Sequence, residues 1–214
     1  MYCPAHFEES RPEILLGLIA QHPLATVISS GNAGLVADHI PLMYEPEQGS
    51  AGKLIGHVAR NNPLWQVGQA AEHLLVFQGP AAYVSPNWYA TKAESGKVVP
   101  TWNYAVAHVH ATLAVSHDQA HIRSVLEKQT RWHEAGQLKP WALADAPEDF
   151  TGRLLGLIVG IEFRIVRMQG KWKVSQNQSL ANRQGVITGL HALQRDEASG
   201  MAALVQAFGP PAEA

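Results

Sequence analysis

Residues 24–59 read LATVISSGNAGLVADHIPLMYEPEQGSAGKLIGHVA, and this stretch decides the class of fold. It contains three runs rich in branched apolar residues, Leu24–Ser30, Leu35–Tyr44 and Lys53–Ala59, separated by glycine, asparagine and proline. Such runs with such punctuation are typical of β-strands. The Asn-Ala-Gly step after Gly31 predicts a hairpin turn between the first two runs. The stretch therefore predicts successive antiparallel strands.

Further strands and helices follow along the chain. Additional strands are predicted at His73–Gln78, Trp102–Val115, Gly156–Met168 and, across a turn at Gln169-Gly170, Lys171–Ser175. Helices are predicted from Pro12 to Pro23, from Asp118 to Glu134, near Asp145 and over Ser199–Phe208. Six or seven strands with inserted helices indicate a mostly β (α+β) fold, an antiparallel barrel that is closed or partly closed. We expect one domain over residues 1–214, with a barrel core at about 24–176 and a helical tail.

Composition limits the kinds of partner. The formal net charge is −2, and acidic and basic residues are interspersed. Proteins that bind DNA directly usually carry an excess of Lys and Arg, so a small-molecule partner is expected before a nucleic acid. The single cysteine, Cys3, excludes a disulfide within the chain. The start of the sequence lacks a signal-peptide pattern and the longest apolar run, Leu154–Ile161, is too short for a bilayer, so we expect a cytoplasmic protein without membrane contact.

The segment Gln78–Tyr104 reads QGPAAYVSPNWYATKAESGKVVPTWNY and is expected to be the functional centre. A loop of this length is uncommon in a compact domain, and its five Trp and Tyr side chains argue against disorder. One interpretation is a structural loop that seals the barrel. The other is a wall or lid for a flat ligand, with the candidate residues Trp88, Lys92, Trp102 and Asn103.

A second cluster, Gly56–Pro63, reads GHVARNNP at the end of a strand. The guanidinium of Arg60 is suited to a phosphate or carboxylate, and Asn61 could complete an anion site. Alternatively, Arg60 caps the C-terminus of a helix or pairs with a surface acid. Both interpretations stay open at this stage.

A third cluster, Gly170–Ser179, reads GKWKVSQNQS. Alternation along a strand places Lys171, Lys173 and Ser175 on one face. An edge strand with lysines exposed to solvent would explain this alternation. The dense amides and hydroxyls that follow, including Gln176 and Asn177, favour hydrogen bonding to a heterocycle.

Metal and hydrolase chemistry have little support in the sequence. His108 and His110 would share a strand face, but no third ligand stands at a familiar spacing. No nucleophile elbow, phosphate-binding loop, dinucleotide fingerprint or metalloprotease motif is present. No metal is expected, and no catalytic residue is predicted.

The three clusters together resemble the PaiB-type family, whose members are named as negative transcriptional regulators and grouped with FMN-binding split barrels. The most specific pieces are Val-Pro-Thr-Trp-Asn-Tyr at 99–104 and Lys-Trp-Lys-Val-Ser-Gln-Asn at 171–177. Others are Gly-His-Val-Ala-Arg at 56–60 and Phe-Gln-Gly-Pro at 77–80. The resemblance covers nearly the whole chain, in order.

This resemblance implies an antiparallel split β-barrel of the flavin-binding type, a homodimer with FMN at the subunit interface. Arg60 would then serve the FMN phosphate with help from Lys92, and the aromatic loop and the amides would flank the ring. The residues expected to bind the cofactor are Arg60, Asn61, Trp88, Lys92, Trp102, Asn103, Lys171, Ser175, Gln176 and Asn177.

Three functions are consistent with the sequence. The leading hypothesis is a flavin-dependent redox or flavin-sensing protein linked to transcriptional regulation. The alternative is a non-enzymatic transcriptional regulator that acts by binding DNA or a partner. A third is haem binding or degradation, with His108 or His191 as an iron ligand.

Overall fold

The computed structural model describes residues 1–31, 34–67 and 71–208. The chain divides into two compact units, each assembled from separated stretches. Unit 1 comprises Met1–Leu18, Gln78–Ala107 and the chain from Gln169 onward; unit 2 comprises Ile19–Phe77 and His108–Met168.

The described residues contain eight strands and six α-helices. The strands are β1 (Glu8–Glu9), β2 (Leu24–Gly31), β3 (Gly34–Pro41), β4 (Met43–Glu45), β5 (Lys53–Ala59), β6 (Glu72–Val84), β7 (Thr101–Ser116) and β8 (Ile158–Lys173). The helices are α1 (Pro12–Gln21), α2 (Lys92–Ser95), α3 (Gln119–Glu134), α4 (Glu148–Leu155), α5 (Leu180–Ala192) and α6 (Asp196–Ala207).

Unit 2 is organised around a sheet in the order β3-β2-β6-β7-β8-β5-β4. Strands β2 and β3 pair antiparallel from Leu24↔Pro41 to Gly31↔Gly34, so the predicted hairpin strands are confirmed. The predicted turn residues Asn32 and Ala33 lie outside the described residues. Val27, which is fully buried, belongs to the core, because alternate residues of a strand face one side.

Unit 1 contains the other ends of the three long strands β6, β7 and β8, together with β1 and the C-terminal helices. Strand β1 pairs antiparallel with the end of β8, matching Glu8 with Lys171 and Glu9 with Gly170. Helices α5 and α6 contribute buried side chains that include Val186, Leu190 and Met201.

The predicted turn at Gln169-Gly170 is wrong, since β8 continues unbroken to Lys173. Gly170 is required there for another reason. A Cβ at this position would approach the ring of Trp172 to 2.6 Å and the backbone oxygen of Glu9 to 2.8 Å. The glycine at position 170 therefore reflects close packing within the strand and does not mark a turn.

Two other boundaries differ from the prediction. The run Leu35–Tyr44 forms two strands, because Leu42 leaves the ladder and donates its N–H to the carbonyl of Pro23 at 2.9 Å. Strand β6 continues past Gly79 to Val84, so the irregular segment shortens to residues 85–100.

Candidate functional site

Unit 1 contains a polar cleft of about 320 Å³, formed by the segment 85–100, the start of β7, the end of β8 and the beginning of α5. We call it the cleft. Phe7, Tyr89, Val98 and Val99 supply apolar lining. Its hydrogen-bonding side chains include those of Thr91, Thr101, Asn103, Lys173, Ser175 and Asn177.

Asn103 and Ser175 form the buried base of the cleft. The Nδ2 of Asn103 donates to the Oγ of Ser175 at 2.9 Å, and the two residues are only 1% and 4% exposed. Ser175 adopts a left-handed backbone with φ of 64°, which ends the extended run of β8. Gln176 stabilises this bend, because its side chain folds back, accepts from the N–H of Val174 and donates to the carbonyl of Trp172.

Lys173 places an ammonium group on the cleft wall. Its Nζ donates to the hydroxyl of Thr101 and, at 2.9 Å, to the carbonyl of Trp102. Burial lowers the pKa of Lys173, and the nearby charge of Lys171 lowers it further. Because its two identified partners are neutral oxygens, an anionic ligand group would supply the missing counter-charge.

Helix α5 holds one half of the segment 85–100 in place. Asn182 Oδ1 accepts from the backbone N–H of Thr91 at 3.1 Å and from its hydroxyl at 3.2 Å. Trp88 packs against Gly185 and Gly189, where added Cβ atoms would collide with it. The second half, residues 92–97, is exposed. The irregular part of the predicted functional segment is thus only residues 85–100, and α5 holds its first half.

The remaining predicted residues of unit 1 have varied surroundings. Lys171 is buried; its Nζ donates to the carbonyl of Tyr2 at 3.1 Å and lies 5.4 Å from the ring centre of Tyr104. Lys92 is exposed and donates to the amide oxygen of Asn87. Trp102 is 57% exposed and stacks edge-on against Tyr83.

Arg60 and Asn61 belong to unit 2. The Nε of Arg60 donates to the carbonyl of Gly156 at 2.8 Å, and Nη2 donates to that of Ile158 at 3.1 Å. Gly156 is the C-cap of α4, so these contacts match the alternative in which Arg60 caps a helix. A role of Arg60 and Asn61 toward a phosphate stays a prediction.

The structure brings Asn103, from the segment Gln78–Tyr104, together with Ser175 and Asn177, from the third cluster, in one cleft. Sequence reasoning missed Thr91 and Asn182, because α5 itself was not predicted. The glycines in that helix weaken its helical pattern. The available signal was Ser179, an N-cap whose hydroxyl accepts from the N–H of Asn182.

The antiparallel sheet with its added helices defines the fold class, a mostly β protein of the split-barrel type. The model of the family described as "Putative FMN-binding domain" matches residues 1–167, and the chain belongs to that family. Membership of this family confirms the predicted flavin cofactor, and the predicted fold class is confirmed as well. The match ends before Lys173, Ser175 and Asn177.

Two relatives align with nearly the whole chain, including the part after residue 167. The chain is 33% identical to "Uncharacterized protein AN0679" of Emericella nidulans, over 98% of both chains. It is 29% identical to "Protease synthase and sporulation protein PAI 2" of Bacillus subtilis, over 96% of this chain and 97% of that protein. The resemblance to the PaiB-type family is thereby confirmed.

Among solved structures, the FAD and heme binding protein from Mycobacterium smegmatis matches with a TM-score of 0.54. The identity is 17%, and the match covers 78% of this chain and 73% of that protein. This likeness concerns the fold. Among the described residues, no helix is both long and apolar enough to cross a membrane.

Proposed function

We propose that this protein binds FMN in the cleft of unit 1 and uses the flavin for redox chemistry on a small substrate or for sensing. The observation that carries the proposal is the donor set of the cleft. Two ammonium groups, four side-chain amides and four hydroxyls line it beside apolar side chains. Membership of an FMN-binding family supports the same ligand.

The chemistry of this donor set fits FMN. The cofactor presents a phosphate, ribityl hydroxyls and the polar edge of a flat ring. Lys173 would hold an anionic part, while Asn103 and Asn177 would exchange hydrogen bonds with hydroxyls or ring heteroatoms. Tyr89 and Val98 offer apolar contact to the ring faces. Of the cofactor-binding residues predicted from sequence, Asn103, Ser175 and Asn177 are thus retained at the centre of the proposal.

When bound, the flavin supplies the hydride or electron transfer, and the protein supplies binding and orientation. A cation beside a flavin stabilises negative charge on the reduced ring, which is a second role for Lys173. The loop 85–100 would exclude water from one side of the cleft. None of these roles requires a separate acid–base residue.

We further propose a homodimer with the cofactor at the subunit interface. Exposed apolar side chains beside the cleft support it, because Trp102 is 57% and Val99 73% exposed. Any effect on transcription is proposed to be indirect, through flavin state or a partner, in line with the net charge of −2. The cytoplasmic location and the haem ligands His108 and His191 stay predictions.

Titration of flavin-free protein with FMN, followed by flavin fluorescence, tests the proposal. Lys173→Met should weaken binding about 10-fold or more, since a hydrogen bond to a charged group contributes about 1.5–3 kcal/mol. Lys139→Met, at an exposed position of unit 2, is the matched control and should bind as the wild type does. Failure of the wild-type protein to bind FMN, or equal affinity of both variants, would contradict the proposed site.

A further inference from the structure

The side chain of Lys173 has a chemical capacity that the holding of an anion does not use. Lys173 lines the cleft and is only partly buried, so a molecule in the cleft can reach it. Its Nζ donates to the hydroxyl of Thr101 and, at 2.9 Å, to the carbonyl of Trp102. These two acceptors match the two N–H bonds of a neutral amine, whereas an ammonium has three donors. In the neutral form the lone pair of Nζ is the position left for reaction.

The surroundings of Lys173 favour that neutral form when the cleft holds no anion. No Asp or Glu is among the described residues that line the cleft. The ammonium of Lys171 belongs to the same strand face, where it contacts the carbonyl of Tyr2 and the ring of Tyr104. Burial lowers the pKa of Lys173; Tyr104 opposes this effect and Lys171 adds to it. A lysine that is partly removed from water beside a second cation is activated as a nucleophile.

The rest of the lining indicates which kind of molecule this amine would meet. Phe7 and Tyr89 offer contact to a flat ring, and the exposed Lys97 adds a second positive charge. Two ammonium groups without a carboxylate in the described lining attract an anion. The cleft volume of about 320 Å³ suits one substituted ring, since a cavity of about 150 Å³ accommodates benzene. The lining therefore favours a small ring compound with a negative charge.

We propose that the flavin-free cleft captures a small aromatic aldehyde that carries an anionic group, by forming an imine with Lys173. The lone pair of Nζ adds to the carbonyl carbon, and a proton passes from nitrogen to oxygen. The C–O bond then breaks, one water leaves and the C=N bond forms, so no oxidant or reductant takes part. The hydroxyl of Thr101, which contacts Nζ, is placed to relay the proton, and Lys97 pairs with the anionic group. FMN and the aldehyde would compete for the cleft, since both require Lys173.

Reductive trapping of the imine tests the proposal. The flavin-free full chain is incubated near neutral pH with 4-formylbenzoate and sodium cyanoborohydride, which reduces an imine to a stable secondary amine. Intact mass counts the adducts, and peptide mapping locates them among the seven lysines. We expect saturable labelling of Lys173, at least about 10-fold faster than that of the exposed Lys139, because the cleft holds the carbonyl beside Nζ.

Three variants separate the role of the amine from that of the charge. Lys173→Arg keeps the positive charge but cannot form the imine, so the rapid adduct should disappear. Lys139→Arg is the matched control, and Lys173 in it should label as in the wild type. Lys97→Met should slow labelling by 4-formylbenzoate about 2–5-fold, the effect of one partly exposed ion pair. Labelling by 4-formylbenzamide, which has the same shape without the charge, should change much less.

Rapid labelling mapped to Lys173 in the wild-type protein supports imine capture, even if Lys173→Arg does not fold. Labelling spread evenly over the lysines, or confined to the amine of Met1, overturns it. Equal responses of both probes to Lys97→Met overturn the preference for an anionic aldehyde. FMN binding by a protein that forms no adduct at Lys173 overturns the capture and leaves the flavin site standing. Labelling of Lys173 that excess FMN does not slow supports the capture and contradicts the flavin site.

Discussion

The amide of Asn103 donates a 2.9 Å hydrogen bond to the hydroxyl of Ser175, and neither residue is more than 4% exposed. The first residue belongs to β7 and the second follows the end of β8. Their bond joins two walls of the cleft below its opening. The two groups satisfy each other in a region from which water is largely excluded.

Replacing Asn103 with Ala should lower the free energy of unfolding by about 1–3 kcal/mol, because the buried hydroxyl of Ser175 loses its donor. Urea denaturation measures the loss. Asn87→Ala is the control, since Asn87 is exposed; its stability should stay within about 0.5 kcal/mol of the wild type. Equal midpoints for the two variants would show that the buried bond contributes little.

Gly189→Ala should destabilise the protein by about 1–3 kcal/mol, although alanine favours helices, because the added methyl group would collide with Trp88. Gly152→Ala, in α4, is the matched control. No atom lies within 4 Å of its added Cβ, so it should raise stability by about 0.5–1 kcal/mol. Thermal unfolding distinguishes the two. A stabilising Gly189→Ala would mean that Trp88 does not occupy the groove on α5.

Acid should destabilise the protein through His73. This side chain is 1% exposed, and burial lowers its pKa below the ordinary 6.5. The unfolded chain therefore binds a proton that the folded chain excludes, and stability falls as pH drops below 6.5 toward the folded-state pKa. The contribution is at most about 1.36 kcal/mol per pH unit.

The double variant Ser29→Ala/His73→Phe removes both members of the 2.8 Å pair between Ser29 Oγ and His73 Nδ1. Urea denaturation between pH 7 and 5 should show a shallower decline for it than for the wild type. The control His191→Phe, at an exposed position, should follow the wild-type profile. Parallel profiles for all three proteins would argue against a buried neutral His73.

Arg60→Ala separates a structural role of Arg60, its contacts to Gly156 and Ile158, from a role in holding the FMN phosphate. Loss of the contacts to Gly156 and Ile158 should lower stability by about 0.5–1.5 kcal/mol. If Arg60 also holds the FMN phosphate, FMN binding should weaken by about 1.5–3 kcal/mol. Arg164→Ala, at an exposed position on β8, controls for lost charge. Unchanged FMN affinity in Arg60→Ala, measured by fluorescence titration, would remove Arg60 from the cofactor site.

Most strands could be predicted because their signals are local. Lys53–Ala59 was placed with the bounds that β5 has, since branched residues end abruptly at polar ones. The prediction failed where a glycine had a tertiary cause. Gly170 lies within a continuous strand and packs against Leu15 and Trp172. The contact with Leu15 joins residues far apart in the sequence, so only the folded chain reveals it.

The candidate site was predictable to a similar extent. Asn103 was predicted from the aromatic segment Gln78–Tyr104, and Ser175 and Asn177 from the amides and hydroxyls that follow Lys173; all three line the cleft. The role of Lys173 was missed, since alternation alone made it a solvated edge residue. Its contacts to Thr101 and Trp102 depend on the pairing of strands distant in sequence.

The chain passes between the two units four times, after residues 18, 77, 107 and 168. Every residue of unit 2 therefore leaves the ribosome before Gln169 does. Strands β2 to β7 and most of β8 are then available, while the cleft still lacks Lys173, Ser175 and the whole of α5. Because chains are made from the N-terminus, the nascent protein acquires the proposed flavin site last, and a message truncated near codon 168 would yield a chain without this cleft.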